Sequence, residues 1–363
     1  MSHSALYHEE TLNPQNPYAV KKLTRFLSSL GFQYSASDVD YTMILYDAQG
    51  FIAGTGSYQG QILKYVVVEP EHRGKNAASL IVTHLIKILM TRYQQMFAFT
   101  RPENAAVFEG LGFQEVATAE PLYTLLEFGY RSIRDYQTYL RRHKAHQATS
   151  NIASIVMNCN PFSNGHKFLI ETAASENDIV YVFVVEEDRS VFPFADRWHL
   201  VNEGIRHLPN VISVKGGQYV VSGATFPSYF LQKESVDQIV EYQTRLDVTI
   251  FAKHIVPVLG INKRYVGTEP YSPTTQAYNT AMKRILPSYG VQVIEVERKA
   301  EGTDTENKPN YISATKIRRA IQHDRLSTIL HFLPETTRKY LLSDASQSVR
   351  AALTARSGDK LIR

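Results

Sequence analysis

A chain of 363 residues exceeds what one hydrophobic core usually serves, so two domains are expected. Its 44% hydrophobic and 20% charged residues are the balance of a soluble globular protein. A formal net charge of +4 is too small for a nucleic-acid binder but suits anionic small molecules or an acidic partner. The single cysteine, Cys159, excludes an intramolecular disulfide, and the longest apolar runs are too short to span a bilayer. The start, "MSHSALYHEETLNPQNPY", has no basic-then-apolar signal pattern, so a cytoplasmic protein is expected.

In chain order, "YTMILYD", "FIAGTGSYQG" and "ILKYVVVEP" predict three consecutive antiparallel strands, with Gly54, Gly56 and Gly60 at turns or bulges. "EHRGKNAASLIVTHLIKILMTRY" reads as a loop opening into an amphipathic helix, with Leu80, Val82, Leu85, Ile86 and Leu89 near one face. Arg73, Gly74 and Lys75 make a cationic loop at that helix start, suited to a pyrophosphate, although a solvated turn has the same composition. A connecting helix is expected at "RSIRDYQTYL", and the polar, basic "RRHKAHQATSN" marks a seam. Residues 1–130 are therefore expected as one domain, 131–150 as a linker helix, 151–345 as a second domain and 346–363 as a tail.

Beyond the seam, runs rich in Val, Ile and Tyr predict strands at Ala153–Met157, Ile179–Val185, Val211–Val214, Arg264–Val266 and Val291–Val296. The amphipathic segments "HKFLIETAASEN", "FADRWHLVNEGIRHL" and "TTQAYNTAMKRIL" alternate with them. That rhythm predicts an open parallel sheet with helices on both faces. Ser222 to Gly260 is longer than a crossover needs and is expected to hold an inserted helical piece.

Two corners of this region invite an anion. In "NCNPFSNGHKFLIE" an apolar strand turns at once into a helix near Gly165, whose unpaired N–H groups and dipole suit a phosphate. Gly165 lets a ligand approach the backbone, and His166 can donate to a phosphoryl oxygen. In "YISATKIRRAI", Ser313 or Thr315 can cap a second helix, and Lys316 and Arg318 stand in its first turns, where only an anion makes cations favourable. A plain turn and an ordinary capped surface helix are the alternative readings.

"NPFSNGH" resembles the His/Thr-x-Gly-His turn of the nucleotidyltransferase superfamily, with Ser163 in the first position. "ISATKIR" resembles its Ile-Ser-Ser-Thr-x-x-Arg signature, with Ala314 replacing one serine. With "FPFADR", "ATFPSYF" and "RYVGTEPYSPTTQAYN" in the same order, the region from Asn151 to Leu341 closely resembles the citrate lyase ligase family. "VVVEPEHRGKNAASLIV" and "RPENAAVFEGLGF", over roughly residues 20–120, resemble the GNAT-type N-acetyltransferase fold, with Asn76 in place of a loop glycine. The implied fold class is α/β, a GNAT-like mixed domain followed by a Rossmann-like parallel-sheet nucleotidyltransferase domain.

The resemblance implies ATP with Mg²⁺, acetate, an acetyl-AMP intermediate and, as partner, an acyl carrier protein with a dephospho-CoA-like thiol arm. It implies His166 and Arg318 as catalytic residues. The nucleotide site would comprise Asn160, Phe162, Ser163, Gly165, His166, Arg197, Gly267, Glu269, Ser313, Thr315 and Arg318, and the CoA-like arm would meet Arg73, Gly74, Lys75 and Asn104. Core packing explains Phe162 equally well, and a structural pairing with Asp196 or Glu187 explains Arg197. Cys159 has no activating base beside it and is read as a buried thiol. No metal-site spacing is present, so Mg²⁺ is expected to arrive on ATP. A nucleotidyltransferase of coenzyme metabolism fused to an acetyltransferase, or a non-catalytic acetyl-CoA or ATP sensor, are the competing functions.

Overall fold

In the computed structural model, which describes residues 7–121, 123–186, 190–221, 236–269, 273–303 and 309–355, the chain divides into two units. One comprises Met1–Tyr136 with Phe226–Thr249, and the other Gln137–Thr225 with Ile250–Arg363. The motif "ATFPSYF", Glu187 and parts of "RYVGTEPYSPTTQAYN" lie outside the described residues.

The first unit contains β1 (Tyr7–Thr11), α1 (Pro17–Ser29), β2 (Tyr41–Asp47), β3 (Ile52–Gln59), β4 (Ile62–Val68), α2 (Ala77–Leu89), β5 (Gln95–Thr100), α3 (Ala105–Glu109), β6 (Gln114–Ala119) and β7 (Tyr123–Gly129). Its strands form one sheet in the order β1-β2-β3-β4-β5-β7-β6. The three predicted strands are the antiparallel β2, β3 and β4. β4 and β5 run parallel and pair only at Ile62–Phe97 and Leu63–Ala98.

Gly54 and Gly56 lie within β3, and the pairing with β4 shifts register between Thr55 and Ser57, as a bulge at Gly56 requires. A Cβ on either would strike Ile81, at 2.7 and 2.4 Å respectively, so these glycines let α2 lie directly on the sheet. Ile81 is accordingly fully buried with Val82, Leu85 and Leu89, whereas Leu80 and Ile86 are only partly covered. Gly60 does turn the chain, at φ +54.

The second unit opens in α4 (Ile133–Arg142), the predicted connecting helix. It continues through β8 (Ile152–Met157), α5 (Asn164–Glu176), β9 (Ile179–Val184), α6 (Phe194–Ile205) and β10 (Val211–Lys215). The long insertion is helical where described: α7 (Val236–Ile250), a π-turn at Phe251–Ile255 and α8 (Val256–Leu259). α7 as far as Thr249 belongs to the first unit, where Arg245 Nη1 donates to the Glu120 carbonyl at 2.6 Å. The expected division at residues 131–150 does not include this return.

There follow β11 (Lys263–Gly267), α9 (Pro273–Ile285), β12 (Gln292–Val296), the short pair β13 (Ala300–Thr303) and β14 (Pro309–Tyr311), α10 (Ala314–Gln322), α11 (Glu335–Leu342) and α12 (Gln347–Thr354). α12 falls in the span expected as a tail. It buries Val349 and Leu353 in a cluster with Ile317 and Ile321 of α10, which is why it is ordered as a helix.

Five parallel strands form the second sheet, in the order β10-β9-β8-β11-β12. The chain order reverses direction between β8 and β11, the crevice where open α/β sheets take ligands. These two strands pair only at Lys263–Ala153 and Arg264–Ser154, so the ladder stops before their C-terminal ends. No helix among the described residues is long and apolar enough to cross a membrane.

The corner after β8 rests on Phe162, fully buried against α6. A Cβ on Gly204 would lie 2.3 Å from Phe162 Cε1. Gly204→Ala is predicted to destabilise the fold by about 1–3 kcal/mol, because a buried ring at a turn has nowhere to move. Urea unfolding checks this; a midpoint equal to that of the parent chain would contradict it.

Candidate functional site

β8 delivers its chain to the crevice edge, where Asn158–Ser163 turn into α5. Ser163 is the N-cap, in extended geometry (φ −125, ψ 166). Its Oγ accepts from the His166 N–H at 3.4 Å, and its own N–H donates to His166 Nδ1 at 3.1 Å. This reciprocal capping box has an imidazole where Glu or Gln is usual. The backbone N–H can only donate, so Nδ1 accepts from it, and the Ser163 hydroxyl lies 2.9 Å from the same nitrogen; with Nδ1 accepting, the neutral ring carries its proton on Nε2. The cap thus leaves Nε2–H as a donor for something else.

Three influences hold His166 neutral. Burial comes first, followed by the charges of Arg298 and Arg318, and together they push its pKa down to about 4. Phe162 lies nearly parallel to the imidazole, with ring centroids 6.2 Å apart and an interplanar angle of 13°. Phe162 is core: its side chain is fully buried, and its carbonyl accepts from Thr337 Oγ1 at 2.8 Å.

α10 meets this corner. Arg318, 6% exposed, donates from Nη1 to the Asn160 carbonyl at 2.5 Å and from Nη2 to Thr315 Oγ1 at 3.2 Å. Burial, then Arg319, lowers its pKa to about 10, so it stays charged at neutral pH. Ser313 occupies the N-cap position of α10 without a side-chain capping bond, and Thr315 follows in the first turn. Lys316 donates to Asn310 Oδ1 and the Tyr311 carbonyl. Asn160 is 4% exposed; its Oδ1 accepts from the Phe192 N–H, and its Nδ2 has no partner among the described residues. A buried donor left over beside two helix starts is a place for an acceptor from outside the chain. Gly165 faces Ile312 at an ordinary 3.6 Å, so packing within the protein does not require a glycine there.

Arg197 is a correction to the expected nucleotide set. It is fully buried, and its guanidinium donates to the carbonyls of Phe192, Asn158 and Val185 at 2.9, 2.9 and 2.6 Å and to Asn158 Oδ1 at 3.0 Å. It clamps the loop carrying the corner and has no surface for a ligand. Gly267 ends β11 with no atom within 4 Å of where its Cβ would be. Glu269 is paired with Arg298 at 2.7 Å, with only 8% of its side chain exposed. A cleft of about 560 Å³ opens beside it, lined by Thr268, Glu269, Asn279, Lys283, Glu295 and Tyr311 among others. Arg298 escaped the sequence reading, since "VERKAE" contains no motif; only the parallel register of β11 and β12 brings it to this edge. Cys159 is buried, at φ +53, and burial pushes its thiol pKa up. Among the described residues no group of three His, Cys, Asp or Glu could hold a metal ion.

In the first unit, Arg73, Gly74 and Lys75 are exposed in the loop from β4 to α2. Gly74 has φ +75 and Asn76, the N-cap of α2, φ +64. Asparagine tolerates this left-handed turn, so the missing loop glycine does not alter the backbone path. Asn104 is exposed at the start of α3, after β5.

Residues 152–341 match the citrate lyase ligase C-terminal domain, and residues 45–121 match the FR47-like protein family. The chain is 32% identical over 314 residues to the citrate (pro-3S)-lyase ligase of Klebsiella pneumoniae, covering 85% of this chain and 89% of that protein. With the enzyme of the same name from Escherichia coli the identity is 33% over 292 residues, covering 79% and 80%. Among solved structures, a bifunctional NMN adenylyltransferase/ADP ribose pyrophosphatase of Francisella tularensis is similar over 56% of this chain and 52% of that one (TM-score 0.37, 15% identity). A GNAT family N-acetyltransferase of Escherichia coli in complex with CoA is similar over 36% and 85% (TM-score 0.26, 13% identity).

The capping box gives a pH prediction. His166 has a folded pKa near 4, below the ordinary value of about 6.5. The unfolded chain therefore binds more protons between those limits, and stability present above about pH 6.5 is lost as pH falls toward 4. His166→Gln keeps the box and cannot titrate. The parent chain is predicted to lose up to about 3 kcal/mol more than this variant between pH 7 and pH 4 in urea unfolding; parallel pH profiles would contradict it.

Proposed function

The chain belongs to the citrate lyase ligase family, and on that premise we propose that it is an AMP-forming acid–thiol ligase that activates citrate lyase by acetylating the thiol arm of its acyl carrier protein. The observation that carries this reading is a helix start with a fixed Nε2–H donor, joined through Asn160 to a second helix start by Arg318.

In the first half-reaction an oxygen of acetate attacks the α-phosphorus of ATP, the bond to the β-phosphate bridging oxygen breaks, and acetyl-AMP and pyrophosphate result. Acetate is already ionised at neutral pH, with a carboxyl pKa near ~4, so no general base is needed. What the site must supply is positioning and stabilisation of phosphoryl charge. His166 Nε2–H and the N–H groups at the start of α5 serve the α-phosphate. Ser313, Thr315 and the α10 start serve the leaving pyrophosphate, with Arg318 holding α10 to the corner. Asn160 Nδ2 is a further donor for the nucleotide, and Gly267 and the cleft beside it take the adenosine end. Magnesium enters as part of the ATP substrate.

In the second half-reaction the thiolate of the dephospho-CoA-like arm attacks the acetyl carbonyl, and the bond to the AMP oxygen breaks. AMP leaves, and the thiol proton passes to solvent. The exposed Arg73–Lys75 loop, ahead of α2, and Asn104 suit the pyrophosphate and nucleotide end of that arm.

Two outcomes are expected. The protein catalyses acetate-dependent ATP–pyrophosphate exchange, and His166→Ala remains folded but loses about 100-fold or more of it, the usual cost of a missing oxyanion donor. Exchange that requires phosphopantetheine instead of acetate would replace this reading with an adenylyltransferase of coenzyme metabolism. Replacing Arg73 and Lys75 by Ala leaves exchange intact and lowers acetylation of the carrier thiol; equal loss of both activities, or of neither, removes the loop from that role.

A further inference from the structure

Arg298 is a cation beside the His166 corner whose guanidinium is partly open to a ligand. It follows β12 at the C-terminal edge of the sheet. The next residue, Lys299, accepts at its carbonyl from the Ile312 N–H at 3.0 Å, and Ile312 packs against Gly165. Lys299 Nζ also lies 6.0 Å from the ring centroid of Phe168 on α5. The Arg298–Lys299 segment therefore runs beside the start of α5.

One edge of the Arg298 guanidinium is fixed: Nη2 donates to Glu269 Oε2 at 2.7 Å. Its backbone is fixed as well, with the N–H donating to Thr268 Oγ1 at 3.0 Å. Nη1 and Nε have no partner among the described residues, and 24% of the side chain is exposed. Arg318 differs: it is 6% exposed, with both Nη atoms directed to the protein. Of the two, Arg298 is the more exposed.

An acid brought against a polyphosphate is repelled, and more strongly as water is excluded. A guanidinium fork is the side chain that best accepts a carboxylate, and fixing one edge on a buried glutamate aims the other without further ordering. We propose that Arg298, oriented by Glu269, receives the carboxylate of the acid substrate beside the nucleotide. This rests on the adenylation reading and adds to it the residue that selects for an anionic acid. No proton moves in this contact: the carboxylate keeps one oxygen on Arg298 while the other forms the bond to phosphorus and pyrophosphate departs. Glu269 is then a positioning residue rather than a nucleotide contact.

The test is ATP–pyrophosphate exchange by the full chain with acetate and ATP varied separately, alongside calorimetric binding of a non-hydrolysable ATP analogue. Arg298→Ala is expected to raise the acetate KM about tenfold or more while the analogue Kd stays within about threefold. Arg298→Lys, which keeps the charge without the fork, is expected to fall between, and it carries the comparison if the alanine variant does not fold. Glu269→Gln raises the acetate KM less than Arg298→Ala does, and adds nothing when combined with it. An unchanged acetate KM in both Arg298 variants, with the parent chain active, overturns the assignment alone. So does an analogue Kd that rises in step with the acetate KM, which would make Arg298 a phosphate contact. A parent chain without acetate-dependent exchange overturns the adenylation reading and this assignment together.

Discussion

A backbone N–H pointing at an imidazole nitrogen fixes the chemistry of that ring. At the start of α5 the Ser163 N–H donates to His166 Nδ1, and the Ser163 hydroxyl lies 2.9 Å from the same nitrogen. The ring is therefore neutral and protonated on Nε2 before any ligand arrives. Burial and two nearby arginines act in the same sense. The Nε2–H donor is left free by the helix cap itself, so one pair of hydrogen bonds both starts the helix and sets the tautomer.

Much of the surrounding unit serves to hold that corner still. Phe162 sits under it against Gly204, with no room for a methyl group between them. Arg197 ties the end of β9, the corner and the approach to α6 through three carbonyls. Arg318 ties α10 to the corner through the Asn160 carbonyl. Buried charges of this kind are tolerated because each is met by hydrogen bonds, and removing one member leaves polar groups stranded. The arginines nearest the site differ in setting: Arg197 and Arg318 are buried and donate to backbone carbonyls, and Arg298 pairs with Glu269 with 24% of its side chain exposed.

The elements of the second sheet were readable because buried parallel strands are continuous Val, Ile and Tyr runs, and each predicted strand lies within a residue or two of the observed one. The positions of Ser163, Gly165 and His166 at a strand-to-helix turn, and of Arg318 in the first turns of a helix, were readable because both are local anomalies in the sequence. The parts that were not readable depend on contacts distant in sequence. Arg197 looks like any helix-surface arginine until its carbonyl partners are known. Arg298 reaches the corner only through strand register. Gly54 and Gly56 read as turn or bulge residues, and Gly56 does sit at a register shift, but the space they clear for α2 has no local signal. The return of α7 to the first unit, and the packing of α12 on α10, have no local signal at all, because an amphipathic helix does not name the surface it covers.

The central claim is the protonation state of one ring, and nitrogen-15 NMR of the protein labelled at its histidine side chains reads it directly. At neutral pH the account predicts that His166 is a neutral imidazole with its proton on Nε2 and a bare Nδ1, and that the signals move at Nε2 when an ATP analogue is added. A His166 protonated on Nδ1, or present as imidazolium at pH 7, would contradict it.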